Sequence, residues 1–116
     1  MERRAPLRSA APRQNRPNVL RLKGEIDLHV SPRITEVLTG MIREEPKQIV
    51  IDLSDATYID SAGLAALIIA MREVEAYGGK FFLAGLNETV RSVLESSRLD
   101  RTFRILPDVD TALVAS

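Results

Sequence analysis

The stretch that most constrains this chain is Ile49 to Leu67, IVIDLSDATYIDSAGLAAL. Ile49, Val50 and Ile51 follow one another without polar alternation, and Leu53 extends the run. That pattern reads as a strand buried on both faces. The stretch closes in an Ala- and Leu-rich run, Ala62 to Ala70, suited to a tightly packed helix. Between the two, Asp60–Ser61 falls where the chain turns into the helix. Ser61 is therefore expected in the first helical turn, among backbone N–H groups with no partner inside the helix. A hydroxyl placed there, beside a carboxylate, is either a helix cap or a site for added phosphate.

The segments around this junction alternate between strand and helix patterns. Val19 to Asp27 places Leu20, Leu22 and Ile26 on one face and Arg21, Lys23 and Glu25 on the other, as in a half-buried strand. Gly24 interrupts it and suggests a bulge or a close backbone approach. Ser31–Pro32 reads as an N-cap followed by proline at the first helical position. Ile34, Val37, Leu38, Met41 and Ile42 then recur at helical spacing until Pro46. Ser54 to Tyr58 is expected to be a connection, with Ile59 turned inward. The helix after Asp60 should end at Gly78–Gly79. Lys80 to Gly85 is a further strand, Asn87 caps a helix to about Arg98, Phe103 to Leu106 is a short strand, and a terminal helix follows Asp108. Four alternations of strand and helix imply an α/β layer fold with largely parallel pairing.

The 116 residues suffice for one domain and, without cysteine, exclude disulfides and thiolate metal sites. No apolar run is long enough to span a bilayer, and the Arg- and Pro-containing start is not a secretory signal, so a cytoplasmic protein is expected. Net charge is zero but uneven: residues 1–16 hold five arginines against one glutamate, leaving the remainder at −4. Residues 1–17, broken by Pro6, Pro12 and Pro17, are expected to be a flexible basic arm, with the folded domain from 18 to 116. No aromatic residue interleaves the arginines, so direct nucleic-acid binding has no support.

Catalytic readings fail on their missing parts. A serine nucleophile needs a base, and His29 is the only histidine; Ser61 also lacks the glycines of a nucleophile elbow. Neither glycine-rich phosphate cradle occurs. Asp27, Asp52, Asp55 and Asp60 fall at strand ends and turns, where aspartate serves local needs. No metal site is expected from them, the pair Asp27 and Asp60 being the nearest approach to one. Phosphotransfer through Asp52 lacks both an acidic pair on the first strand and a lysine after the later ones.

Tyr58–Ile59–Asp60–Ser61–Ala62–Gly63–Leu64 resembles the signature of the anti-sigma factor antagonists of the STAS-domain family. Leu22–Lys23–Gly24–Glu25–Ile26–Asp27 matches that family's second hallmark. Their spacing, Gly78–Gly79–Lys80 and Leu99–Asp100–Arg101–Thr102–Phe103 are similar too, so the resemblance runs from about Val19 to the C-terminus. Two departures stand out. Ala62 occupies the position where many members carry a second serine or threonine, and residues 1–17 show no pattern for the family's extra first strand.

The resemblance implies a STAS fold, with a mostly parallel or mixed sheet of four to five strands and about four packed helices. It implies a regulatory binding protein rather than an enzyme, with no cofactor. The expected partners are a serine-kinase anti-sigma factor and a PP2C-type phosphatase. Ser61 is the implied phosphorylation site, and Asp27, Asp60, Ser61, Ala62, Gly63 and Leu64 the implied partner-binding residues. A monomer without a membrane span is expected. The alternative is a stand-alone STAS subunit of a lipid-transport ATPase or a sensory complex.

Overall fold

The computed structural model describes residues 13–16 and 18–115. Five strands, β1 (Arg13–Arg16), β2 (Val19–Ile26), β3 (Gln48–Ile59), β4 (Lys80–Ala84) and β5 (Arg104–Leu106), lie in one sheet in sequence order. β1 pairs antiparallel with β2, and every other pairing is parallel. Four helices complete the domain: α1 (Ser31–Ile42), α2 (Ser61–Ala76), α3 (Glu88–Ser96) and α4 (Val109–Val114).

Each of the crossovers α1, α2 and α3 joins a strand to its immediate neighbour in the same direction. With right-handed crossovers, all three helices must lie on one face of the sheet. One core unites them there: Ile34 and Leu38 of α1, Leu67 and Val74 of α2, and Val90 and Leu94 of α3 pack on Leu20, Leu22, Ile49, Ile51, Phe81 and Leu83. α4 covers part of the opposite face, where Ala112 meets Val19, Val50, Phe82 and Ala84. β3 is thus enclosed from both sides, which is why Ile49, Val50 and Ile51 are all fully buried.

β3 is longer than its apolar run. Ser54 to Tyr58, expected to be a connection, continues the strand and pairs with Lys23–Glu25 of β2. Its sequence hides this because Ser54, Thr57 and Tyr58 are exposed while only Ala56 is buried. The register slips between Arg21 and Lys23 and again between Gly24 and Glu25, where Gly24 takes φ +78°. Of the two expectations for Gly24, the structure shows the bulge, and a Cβ there would meet nothing within 4 Å.

β1 lies within residues 1–17, where the sequence shows no pattern for the family's extra first strand. Arg13 pairs with Arg21 and Arg16 with Val19. A four-residue edge strand is held by backbone bonds and needs no apolar alternation, so RQNR gives no sequence signal. Residues 1–12 of the expected arm, and Pro17, lie outside the described residues.

The end of α2 follows its glycine pair. Gly78, at φ +91°, donates to Glu75 O at 3.0 Å and Gly79 to Val74 O at 2.9 Å. These two bonds are the reciprocal pair of a Schellman C-cap. α1 begins differently from expectation: Val30 occupies the N-cap position, and Ser31 is a buried first helical residue whose Oγ donates to Leu28 O at 3.5 Å.

Candidate functional site

The junction of β3 and α2 is organised by the carboxylate of Asp60. Its backbone is extended, and Oδ1 accepts the N–H of Gly63 at 2.9 Å, which makes Asp60 the N-cap of α2. Oδ2 accepts the N–H of Leu28 at 3.1 Å, and Asp60 N donates to Ile26 O at 3.0 Å. One residue therefore ties the end of β2, the turn after it and the start of α2 together. The two separated sequence motifs meet in these bonds.

Asp27 performs the matching task on the other side. Its Oδ1 accepts from His29 N at 3.0 Å and Val30 N at 3.3 Å, and its carbonyl accepts from Val30 N and Ser31 N. The β2–α1 turn is thus folded around Asp27 and pinned to Asp60. His29 stands in this turn, 91% exposed, with Nδ1 3.8 Å from Asp27 Oδ2. Both oxygens of Asp60 and Oδ1 of Asp27 are thus committed to backbone donors, while Asp27 Oδ2 faces His29. Among the described residues no group of three or more His, Cys, Asp or Glu is placed to hold a metal ion.

Since Asp60 takes the cap, Ser61 is the first residue of α2 and is exposed. Among the described residues no hydrogen bond engages its hydroxyl. The N–H groups of Ser61 and Ala62 have no carbonyl to reach within the helix. A free hydroxyl therefore stands at the positive end of a sixteen-residue helix dipole.

The remaining expected site residues divide by burial. Ala62 is half-buried, while Gly63 and Leu64 are buried beneath the surface that Ser61 occupies. A Cβ on Gly63 would stand 2.7 Å from Ile26 O and 2.9 Å from Ile59 Cγ1. Glycine at this position lets the first turn of α2 close on the ends of β2 and β3. Leu64 belongs to the main core. These two hold Ser61 in place from below. Sequence reasoning missed Leu28, whose side chain is 67% exposed beside the junction. An apolar residue inside the turn Asp27 to Ser31 was the available signal.

Asp52 lies elsewhere. Between inward-facing Ile51 and Leu53, its side chain falls on the opposite sheet face, where Oδ1 accepts from Ser54 Oγ at 2.7 Å and Ser54 N at 3.0 Å. It lines a surface cavity of about 450 Å³ with Ser54, Gly85, Pro107, Asp108, Val109 and Asp110. Among the described residues the wall is acidic and holds no cation to pair with a phosphoaspartate.

Comparison with known proteins gives the junction a context. The family model described as the STAS domain matches residues 8–112. The chain belongs to the STAS domain family. Among its STAS relatives is the anti-sigma-F factor antagonist RsfB of Mycobacterium tuberculosis, 30% identical over 95 residues, covering 82% of this chain and 77% of that protein. The crystal structure of a putative anti-sigma factor antagonist from Thermotoga maritima shares the STAS fold, with a TM-score of 0.77, 23% identity and coverage of 90% and 92% of the two chains. The Bacillus cell fate determinant SpoIIAA, solved in its phosphorylated form, superposes with a TM-score of 0.67 at 25% identity, covering 88% of this chain and 94% of that one. The STAS relatives named anti-sigma factor antagonists are regulatory proteins rather than enzymes. Among the described residues, no helix is long and apolar enough to cross a membrane.

Proposed function

We propose that this chain is an anti-sigma factor antagonist that binds a serine-kinase anti-sigma factor and is switched off by phosphorylation at Ser61. The observation that carries the reading is the exposed, uncommitted hydroxyl at the first position of α2, with the cap supplied by its neighbour Asp60. The names of the relatives supply the partner class, and SpoIIAA was solved in a phosphorylated form.

The physics of the switch follows from where the charge arrives. Phosphate adds about −1.5 to −2 elementary charges at pH 7. Within the free protein the dipole of α2 and its first N–H groups accept that charge. Across a docked surface the same charge must be stripped of water next to Asp60. A difference of about 3 kcal/mol between free and bound states weakens binding more than a hundredfold. The fold does not have to change for this. A PP2C-type phosphatase would reset the hydroxyl.

The test is incubation of the purified chain with ATP and each serine-kinase anti-sigma factor of the same organism, followed by mapping of the modified residue. Phosphate on Ser61 supports the reading. Phosphate on Asp52 favours phosphotransfer, and no modification by any of them favours a STAS subunit of a transport or sensory assembly.

A further inference from the structure

Four large apolar side chains are exposed among the described residues: Leu28 at 67%, Tyr58 at 44%, Ile69 at 54% and Val114 at 82%. Two of them flank Ser61. Leu28 is joined to the junction through its N–H on Asp60 Oδ2. Ile69 lies two turns along α2, about 12 Å from Ser61 along the axis. Ser61, Ala65 and Ile69 follow at intervals of four and are all exposed, so they share one stripe of the helix. Tyr58 alternates with inward-facing Ile59 and belongs to the other sheet face, as does Val114 on α4.

The charges around this stripe are disposed in a particular way. Both oxygens of Asp60 are bound by backbone N–H groups, and Asp27 Oδ1 is bound by two more. Among the described residues no lysine or arginine is bonded to either carboxylate, His29 Nδ1 stands 3.8 Å from Asp27 Oδ2, and α2 itself carries no charged residue from Ser61 until Arg72 and Glu73 beyond Ile69. The exposed stripe of α2 from Ser61 to Ile69 is therefore apolar and hydroxyl-bearing, with the Asp60 and Asp27 carboxylates at its start and Arg72 and Glu73 past its end, an uncharged centre within a charged rim as in a protein interface.

Building on the reading of Ser61 as the switch, we infer that Leu28 and Ile69 are the anchors on which the anti-sigma factor seats an uncharged, apolar surface directly over Ser61. Phosphate then expels the partner by placing a charge under a desolvated contact, not by repelling an acidic patch. The two causes differ in their response to salt. Repulsion between exposed charges is screened as the Debye length falls from roughly 10 Å at 0.1 M salt to 3 Å at 1 M, whereas a buried desolvation penalty is screened much less.

The experiment uses the purified anti-sigma factor kinase that labels Ser61, and measures its affinity for the full chain without ATP. Leu28→Ser and Ile69→Ser are each expected to weaken binding about tenfold, the scale of an interface anchor, with unchanged melting temperature. Val114→Ser, on the opposite face, is the control and should bind as the parent does. The weakening caused by Ser61→Asp should be the same within a factor of about two at 0.1 M and 1 M salt. Parent-like binding by both apolar variants, or a Ser61→Asp defect that largely vanishes at high salt, overturns the inference. Parent-like binding by Ser61→Asp would instead overturn the switch itself, while the apolar variants still report on the anchors.

Discussion

Asp60 Oδ2 holds the backbone N–H of Leu28 at 3.1 Å, across thirty-two residues of sequence. With its other oxygen on Gly63 N, this carboxylate fixes the position of Ser61 relative to the β2–α1 turn. Replacing Asp60 by alanine removes the cap of α2 and leaves the Leu28 N–H to water. Loss of a helix cap costs typically about 1 kcal/mol and up to 2. Asp60→Ala should lower stability to urea by roughly that amount, and Asp60→Asn, which retains one acceptor oxygen, by less. Equal midpoints for Asp60→Ala and the parent would show that the bridge contributes nothing.

Gly63 tests the close approach that seats the helix. An added methyl would press on Ile26 O at 2.7 Å, and a backbone oxygen yields little. Gly63→Ala should therefore destabilise the domain by about 1–3 kcal/mol despite the better helix propensity of alanine, as overpacking commonly does. Chemical denaturation measures it, and a stabilised variant would contradict the packing described.

Much of the junction was legible because its residue types are each suited to one task. A two-sided apolar run, an acidic–hydroxyl pair and a small-residue helix admit few arrangements. What the sequence left undecided was phase. Aspartate and serine are both good caps, and in the structure Asp60 takes that role, accepting Gly63 N while Gly63 packs against Ile26 O. The second half of β3 was hidden because Thr57 and Tyr58 are exposed and the pairing with β2 slips twice. The first strand was hidden because RQNR, Arg13–Arg16, has no apolar alternation to mark it. Gly63 and Leu64 belong to the motif, but the motif does not reveal that they face inward.

At the opposite end of α2, Tyr77 Oη donates to Pro46 O at 2.8 Å and clasps the helix end to the start of β3. Partial burial, and then the charge of Glu45, raise its pKa above the usual 10.0. The native state thus favours the protonated phenol. This contribution is fully present below pH 10 and is lost as pH rises through the folded-state value. Stability should fall more steeply in that alkaline window for the parent than for Tyr77→Phe, as followed by denaturant midpoints. Parallel profiles would remove Tyr77 as the cause.

The Ser61 variants separate binding from folding. Ser61→Ala keeps the cap on Asp60 and should bind the kinase while resisting inactivation by ATP. Ser61→Asp should bind at least about a hundredfold more weakly, with a melting temperature close to the parent's. A large loss of stability in Ser61→Asp would mean that the hydroxyl is structural.

The most direct measurement compares the affinity of the anti-sigma factor kinase for two purified forms of this chain, one with Ser61 bare and one with phosphate on it. The account predicts tight binding by the bare form and a loss of more than about a hundredfold on phosphorylation, with the fold unchanged by circular dichroism. Equal affinity for the two forms would contradict it.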